Sequence, residues 1–393
     1  MEDTLLVVNC GSSSLKVALF SARLERLASA LAERLGQEDA SARADRTSVP
    51  LPAKAKHEDA LAAIVEHFRY TGVMSGNPKA IGHRVVHGGE AFTAPSLLTD
   101  EIIAAIEDCA SLAPLHNPVN LKGIQGTRSL FPDVPQVAVF DTAFHQTLPQ
   151  HAYLYALPRR FYDDWGVRRY GFHGTSHSFM VSETARLLDR PTNSLSIISA
   201  HLGNGCSMTA IRDGKSVDTS MGLTPLEGLV MGTRCGDIDP GLFDFLNGKG
   251  IQADELNAIL NKESGLLGLS GSTNDMRTLV DQADQGDEAS AQALAVFCFR
   301  LARYVGAMMA SLTALDALVF TGGIGENSAR VRQDTIALLG LMGFQLDVDR
   351  NSNHGRESSQ RIDADGSRFP VLVIPTDEEL VIARAADQES RNA

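Results

Sequence analysis

The sequence predicts an α/β fold made of two similar domains, because one strand–turn–strand pattern occurs twice along the chain. An apolar run at residues 5–8 leads into Asn9 and the turn Gly11-Ser12-Ser13-Ser14, and a second apolar run follows. Near residue 200 an apolar run leads into Gly203-Asn204-Gly205, and another follows it. Such turns direct several backbone N–H groups and small hydroxyls toward one point, which suits phosphate oxygens. The pair therefore predicts two domains that face each other across a nucleotide.

Strand-like and helix-like segments alternate along the chain, as in other α/β proteins. β-branched runs that end in polar or glycine-rich turns predict strands at residues 81–87, 136–140, 194–200, 317–320 and 370–374. Helices are predicted at residues 58–68, 101–109, 176–188, 289–312 and 329–339. Residues 21–49 fit a helix by composition and further strands of a meander by position, and residues 36–46 are expected to form an exposed loop.

Composition excludes several classes of protein. The formal net charge of −13 argues against a nucleic-acid or anionic-membrane surface. The chain of 393 residues, 44% of them hydrophobic, is long enough for two domains with sizeable cores. Five cysteines without paired spacing predict reduced thiols. The acidic start and the short apolar runs predict no signal peptide and no membrane span, so the expected location is the cytoplasm.

Polar residues concentrate where predicted strands end. In open α/β sheets ligands collect at the carboxyl ends of strands, and helix N-termini there attract anions. The chain has no P-loop, no dinucleotide fingerprint and no nucleophile elbow. The polar segments lie at residues 83–90, 141–145, 169–177, 231–239 and 321–327.

These segments resemble the acetokinase family of the actin, sugar-kinase and Hsp70 superfamily. The resemblance runs essentially end to end and implies a duplicated ribonuclease-H-like core of the actin/Hsp70 ATPase type, in two domains with a central cleft. The motifs that carry it, in the family's order, are NCGSSSLK (9–16), HRVVHGG (83–89), FDTAFH (140–145), YGFHGTSH (170–177), HLGNG (201–205), MGTR (231–234), GGIGEN (322–327) and TDEEL (376–380).

The resemblance also implies how the chain is divided. Residues 1–149 would form the N-terminal acetokinase domain, and residues 150–376 the nucleotide-binding domain. A C-terminal helix from about residue 377 to 393 would pack back on the first domain. Independently of the resemblance, residues 149–158 lie between the two halves and are the expected hinge. The resemblance implies a homodimer.

The implied activity is reversible, Mg²⁺-dependent, in-line transfer of the ATP γ-phosphoryl group to acetate, giving acetyl phosphate and ADP, with Mn²⁺ as an alternative metal. A carboxylate is already a competent nucleophile, so the chemistry needs cations around the phosphoryl group more than a base. The alternatives are a propionate or butyrate kinase of the same family, a superfamily ATPase without a carboxylate acceptor, and an inactive interaction protein.

Site residues follow from the matched motifs. Asp141 would act as acid/base or position Arg84 and the metal, and Asp377 adds a charge that makes the choice of metal ligand less certain. The implied roles are catalysis by Asp141, His173 and Arg234; carboxylate binding by Arg84; an acyl pocket of Val86, Leu115, Phe172 and Pro225; metal binding by Asn9 and Glu378; and nucleotide binding by Ser12, Ser14, Lys16, His201, Leu202, Gly203, Asn204, Gly205, Asp275, Met276, Arg277, Gly323, Ile324, Gly325, Glu326 and Asn327.

Overall fold

The structure, a computed structural model, describes residues 3–114 and 116–391. The chain divides into two compact units. Unit 1 extends to Gln146 and resumes at Asp377, and unit 2 comprises Thr147–Thr376.

Unit 1 is built around an eight-stranded sheet. Its strands are β1 (Thr4–Cys10), β2 (Leu15–Ser21), β3 (Arg26–Glu33), β4 (Ser41–Ala44), β5 (Thr47–Val49), β6 (Ala80–Val85), β7 (Ser96–Leu97) and β8 (Gln136–Phe140), and its first helices are α1 (His57–Tyr70), α2 (Asp100–Asp108) and α3 (Asn117–Leu130).

Unit 2 is built around a five-stranded sheet. Its strands are β9 (Ile197–Leu202), β10 (Cys206–Arg212), β11 (Lys215–Thr219), β12 (Ala317–Thr321) and β13 (Val371–Val373). The helices are α4 (Gln150–Tyr153), α5 (Arg160–Trp165), α6 (Gly174–Leu187), α7 (Leu242–Gly248), α8 (Ala253–Ala258), α9 (Gly265–Ser270), α10 (Met276–Asp284), α11 (Glu288–Ala310), α12 (Gly322–Asn327), α13 (Ala329–Ala337), α14 (Val348–Ser352) and, returning to unit 1, α15 (Glu378–Ser390). Short 3₁₀ helices occur at Cys109–Ser111, Ala143–Thr147, Thr192–Ser194 and Gly340–Met342, and a π-helix occurs at Ile259–Glu263.

The two sheets share one topology. Unit 1 has the strand order β5-β4-β3-β2-β1-β6-β8-β7, and unit 2 has β11-β10-β9-β12-β13. In each, three antiparallel strands (β3-β2-β1 or β11-β10-β9) are followed by two that run parallel to the third (β6 and β8, or β12 and β13). The repeat confirms the predicted duplicated core. The helices predicted from the sequence are present as α1, α2, α6, α11 and α13.

Residues 21–49 form the meander β3–β5, so their interpretation as a helix is wrong. Alternate residues of β3 (Ala28, Ala30 and Ala32) are buried, which is the period of a strand with one face on the core. The expected exposed loop at residues 36–46 is also partly wrong, because β4 lies within it and buries Ala42 and Ala44. Alanine favours helix as an isolated residue, and pairing with β2 overrides that preference.

Helix α15 packs on the sheet of unit 1. Its buried residues Ile382, Ala383 and Ala386 join a core cluster with residues of β1, β2, β6 and β8. The approach is close at Gly82, where a Cβ would lie 2.5 Å from Cγ2 of Ile382 and 3.0 Å from its carbonyl oxygen. Glycine at position 82 therefore lets α15 pack closely against the middle of β6.

Helix α11 is, within residues 3–114 and 116–391, the one helix long and apolar enough to cross a membrane. It carries Arg300 and Arg303, and its residues Phe297, Leu301 and Val305 are buried within the protein. This is the pattern of a core helix.

Candidate functional site

Three polar side chains of unit 1 meet at one edge of its sheet. The strands β1, β6 and β8 run parallel, so their carboxyl ends lie side by side. Asn9 is the penultimate residue of β1, Arg84 the penultimate residue of β6, and Asp141 follows β8 directly. The sheet topology therefore brings together residues that are far apart in the sequence.

Arg84 and Asp141 form a two-pronged ion pair. Arg84 Nε donates to Asp141 Oδ1 and Oδ2 at 3.0 and 3.1 Å, and Nη2 donates to Oδ2 at 2.6 Å. Burial acts to lower the pKa of Arg84, but the charge and hydrogen bonds of Asp141 outweigh it and the net pKa is raised. Burial raises the pKa of Asp141, and the charge of Arg84 opposes that shift. The guanidinium is thus fixed as a cation by a buried carboxyl group.

The two oxygen-bearing side chains of the predicted metal site act on this ion pair. Arg84 Nη1 lies 3.5 Å from Asn9 Oδ1, and Glu378, the first residue of α15, raises the pKa of both Arg84 and Asp141 through its charge. Amide and carboxylate oxygens are the ligands that Mg²⁺ prefers, and Mg²⁺ usually takes only one or two carboxylates from the protein. Asn9 and Glu378 therefore fit a magnesium ion whose other ligands are water or phosphate.

The neighbouring acidic residues are engaged elsewhere. Asp377 Oδ1 accepts from the Leu380 N–H at 3.0 Å as the N-cap of α15, and from Arg26 Nη2 at 2.5 Å. Glu379 forms ion pairs with Lys16 and Arg26. Burial acts to raise the pKa of Glu379, but the hydrogen bond and charge of Lys16 lower it overall. Asp377 and Glu379 therefore hold the first turn of α15 in place.

The first glycine turn joins β1 to β2. The Gly11 N–H donates to the Ser14 carbonyl at 2.9 Å, and a Cβ at Gly11 would lie 2.6 Å from Ser14 Oγ. Ser12 is exposed and Ser14 half-buried. Lys16 pairs with Asn9 across the hairpin, and its ammonium group contacts Glu379.

Two buried asparagines of α3 that the sequence analysis did not identify hold the loops of this site. Asn120 Oδ1 accepts from the Val86 N–H at 3.0 Å, while its Nδ2 donates to the Cys10 carbonyl at 2.9 Å. Asn117 exchanges hydrogen bonds with the N–H and carbonyl of His87 at 3.1 and 2.9 Å. One side chain of α3 thus ties the end of β1 to the residue after β6. The only local signal is asparagine in an otherwise amphipathic helix.

We expect Asn120→Ala to lower the free energy of unfolding by about 1–3 kcal/mol, because it leaves buried backbone groups without a partner. Urea denaturation monitored by circular dichroism measures the change. The control is Asn257→Ala, at an exposed position of α8, which should change the free energy by no more than about 0.5 kcal/mol. Equal loss in both variants would contradict a bridging role for Asn120.

The residues of the predicted acyl pocket belong to both units. Val86 of unit 1 and Phe172 of unit 2 are buried, and Pro225 of unit 2 is half-buried. Leu115 lies outside the described residues.

Unit 2 contains a cavity of about 680 Å³ at the carboxyl ends of β9 and β12. Residues that were assigned to nucleotide binding from the sequence line it, together with residues that were not assigned: Asn274, Val280, Asp281, Ser328, Ala329 and Arg330. Asp275 caps α10 by accepting from the Thr278 N–H at 3.0 Å. The assigned residues in the lining are Gly203, Asn204, Asp275, Met276, Arg277, Gly323, Ile324 and Asn327.

Close packing shapes this cavity. Asn204 accepts from Asn274 Nδ2 at 2.8 Å and, through its carbonyl, from the Gly232 N–H at 2.9 Å. A Cβ at Gly232 would lie 2.0 Å from Asn204 Oδ1. Gly322 has φ +76°, and a Cβ there would lie 2.8 Å from the Leu202 carbonyl. Glycine at positions 232 and 322 therefore permits both segments to pack closely against residues 202–204.

Some of the assigned residues support the cavity from outside its lining. Leu202 and Gly325 are buried. Glu326 Oε1 accepts from the N–H groups of Gly322 and Thr376 at 2.9 and 3.0 Å, so it braces the turn after β12. His201 stacks on the His173 ring with centroids 4.3 Å apart.

Arg234 and His173 converge on Gly205. A Cβ at Gly205 would lie 2.8 Å from Arg234 Nη2 and 3.5 Å from His173 Nε2. Arg234 Nη1 donates to the Pro225 carbonyl at 2.5 Å, and burial lowers the pKa of Arg234. Within the described part of the chain Arg234 has no carboxylate partner, since the adjacent Asp237 accepts from Gly228 and Tyr304. This half-buried cation is thus available to an anion.

Cys10 and Cys206 lie beside the two glycine turns but remain thiols. Burial raises the pKa of each to about 12. Because the thiolate is the reactive form, both are inert at neutral pH.

Four features together indicate a phosphotransferase of the ribonuclease-H-like ATPase type. They are the duplicated core, the glycine turns, the half-buried cation of Arg234 and the pairing of Arg84 with a carboxyl group. The sequence profile of the Acetokinase family matches residues 4–384, and the chain belongs to that family. It is 51% identical over 391 residues to an acetate kinase from Deinococcus deserti, covering 98% of this chain and 97% of that one.

Two solved structures have the same fold across nearly the whole chain. A propionate kinase from Francisella tularensis has a TM-score of 0.93 at 42% identity, and covers 98% of this chain and 99% of its own. An acetate kinase from Porphyromonas gingivalis has a TM-score of 0.91 at 40% identity, with the same coverage. This chain therefore has the fold that acetate and propionate kinases share.

Proposed function

We propose that this protein is an acetate kinase, which transfers the γ-phosphoryl group of ATP to acetate and catalyses the reverse reaction. The observation that carries the proposal is Arg234, a half-buried guanidinium without a carboxylate partner among the described residues, beside the glycine turn at residues 203–205. A cation held in this way suits the charge that develops on a transferring phosphoryl group.

Within unit 2, Arg234 and His173 would donate to the equatorial oxygens of that group. The left-handed backbone of His173, with φ +58°, turns its ring toward Ser207 and His201 at the start of α6. The cavity lined by Asn204, Asp275 and Ile324 would hold the rest of the nucleotide. Unit 2 is therefore the proposed nucleotide-binding domain.

Within unit 1, Arg84 would bind the acetate carboxylate. Asp141 is buried and occupies two donors of Arg84, which supports a positioning role over that of a general base. The acetate carboxylate already carries the attacking lone pair, so no proton has to be removed. Unit 1 is the proposed acetokinase domain.

Asn9 and Glu378 would hold Mg²⁺, directly or through water. When bound, the ion neutralises charge on the ATP phosphates. Ser12, Ser14 and Lys16 belong to the same proposal as contacts along the phosphates, and Lys16 would have to exchange its partner Glu379 for phosphate.

The proposal includes a homodimer and a cytoplasmic location. Support for the homodimer comes from the family resemblance. The five free cysteines are consistent with a reducing compartment such as the cytoplasm. Light scattering of the purified protein would test the assembly.

The decisive experiment compares initial rates of ADP formation with acetate, propionate, butyrate and no acceptor, each with Mg-ATP. We expect the highest kcat/KM with acetate, and little ADP without an acceptor. A preference for propionate would make the protein a propionate kinase, and acceptor-independent ADP formation would make it an ATPase. Failure to bind Mg-ATP would indicate an inactive interaction protein.

Val86→Ala should shift the acceptor preference toward propionate by about tenfold or more, because a pocket discriminates single methylene groups by about 1–3 kcal/mol. The resemblance supports this choice, since propionate kinases of the family tend to carry a smaller residue at this position. The measurement is the ratio of kcat/KM for propionate and acetate. The control is Val73→Ala, a substitution of the same size at an exposed position. An unchanged ratio in Val86→Ala would remove Val86 from the pocket.

A further inference from the structure

A chain of four side chains in unit 2 leads from the core to His173. Ser199 Oγ lies 2.9 Å from His177 Nδ1, and His177 Nε2 lies 2.8 Å from Ser207 Oγ. Ser207 Oγ also lies 2.9 Å from His173 Nδ1. Ser199, His177 and Ser207 are fully buried. Two imidazoles therefore share one buried hydroxyl group.

That hydroxyl group has a single proton, which limits the states of the two rings. Ser207 Oγ can donate to one imidazole nitrogen and must then accept an N–H from the other. Within the described part of the chain, Ser207 Oγ has no third partner. If His173 Nδ1 and His177 Nε2 were both unprotonated, the single hydroxyl proton of Ser207 could serve only one of the two contacts. If both carried a proton, both would donate to Ser207 Oγ, and its buried hydroxyl proton would have no acceptor.

Only two arrangements of neutral rings satisfy both contacts of Ser207 Oγ. In the first, Ser207 donates to His173 Nδ1 and accepts from His177 Nε2–H, so both rings carry their proton on Nε2. In the second, His173 Nδ1–H donates to Ser207, which donates to His177 Nε2, so both rings carry their proton on Nδ1. Ser199 Oγ serves as donor in the first case and as acceptor in the second.

We propose that Ser207 couples the tautomers of His173 and His177, so that the two neutral rings always carry the proton on the same nitrogen. His177, Ser207 and Ser199 are then positioning residues for His173. The arrangement with Nε2–H gives His173 a donor on the edge that lies beside Gly205 and Arg234. This consequence rests on the proposed function, whereas the coupling itself does not.

The stacked ring of His201 has a separate connection. Its Nδ1 lies 2.8 Å from Ser176 Oγ, which lies 3.0 Å from Thr376 Oγ1. Ser176 is buried, as Ser207 is. Ser176→Ala is therefore a matched control, because it removes a buried hydroxyl group beside a stacked imidazole without touching the His173–His177 connection.

The test is the tautomeric state of the two rings in the full chain, read from two-bond ¹H–¹⁵N correlations of protein labelled with ¹⁵N-histidine, at alkaline pH where both rings are neutral. The His173→Gln variant assigns the His173 ring, and short proton distances to Ser199 and Ser207 assign the His177 ring.

We expect matched tautomers in the native protein and in Ser176→Ala, and unmatched populations in Ser207→Ala. Opposite tautomers in the native protein, or a match that survives in Ser207→Ala, would overturn the proposal. The native spectrum decides the first point even where Ser207→Ala does not fold.

Kinetics separate this inference from the proposed function. Ser207→Ala should lower kcat by about tenfold while KM for acetate and ATP stays within about twofold, as expected when the partner of a functional histidine is removed. Matched tautomers in a chain without acetate-dependent ADP formation would support the coupling and contradict the proposed function. Opposite tautomers in a protein with acetate-dependent ADP formation would contradict the coupling and support the proposed function.

Discussion

Replacement of Arg234 by alanine is expected to lower kcat by about 10³–10⁵, with KM for acetate within a few-fold of its original value. The guanidinium lies beside Gly205 and His173 without a carboxylate partner among the described residues, so the protein supplies a cation with no internal charge to neutralise. An interaction made mainly in the transition state affects kcat more than KM. At 1.36 kcal/mol per tenfold change, Arg234 would supply about 4–7 kcal/mol.

Steady-state kinetics of Arg234→Ala, Arg234→Lys and Arg159→Ala test this expectation. Lysine should restore only part of kcat, because a point charge cannot reproduce the planar set of donors. Arg159 lies on the surface and pairs with Asp163, so its removal should leave kcat unchanged. If Arg234→Ala turns over at a near-normal rate, the loop at residues 231–239 is structural.

Replacement of Arg84 by alanine is expected to raise KM for acetate by about 10–100-fold, since a charge-assisted hydrogen bond to the substrate contributes about 1.5–3 kcal/mol in the ground state as well. The structure adds a second effect, because Asp141 is buried and Arg84 is its two-pronged partner. A buried carboxylate without its cation typically costs about 3–5 kcal/mol of stability. Arg84→Ala therefore combines a binding defect with a folding defect.

The double variant Arg84→Ala/Asp141→Asn separates the two effects. Removing the charge of Asp141 should restore much of the lost stability, measured by urea denaturation, and should leave KM for acetate high. If KM returns toward its original value in the double variant, Arg84 acts through Asp141 rather than on the substrate. Asp141→Asn alone should leave Arg84 present but less firmly oriented.

Repeated local patterns were enough to predict two similar α/β domains. The two glycine turns, each between apolar runs, mark the β1–β2 and β9–β10 hairpins, and both sheets place a parallel strand beside the first strand of that hairpin. Residues 21–49 were not predictable in the same way. Their alanines favour a helix in isolation, and only pairing with β2 selects strands.

Parts of the site were predictable for the same reason. Asn9 and Arg84 lie at the ends of apolar strands and Asp141 follows one, and parallel strands bring their ends together. The ion pairs of Asp377 and Lys16 were not predictable, because each partner lies far away in the sequence. Asp377 pairs with Arg26, and Lys16 pairs with Glu379.

The sequence by itself determined the duplicated α/β core and the residues that lie at strand ends, since hydrophobic period and turn chemistry are properties of short segments. Its ordered motifs carried the resemblance to the family. Only the tertiary structure decided which buried polar groups support those residues. Asn120 bridges the end of β1 to Val86, and Ser207 joins His173 to His177. A buried polar side chain finds its partner through packing, because the cost of leaving it unpaired is paid only in the folded core. No local pattern in the sequence records that choice.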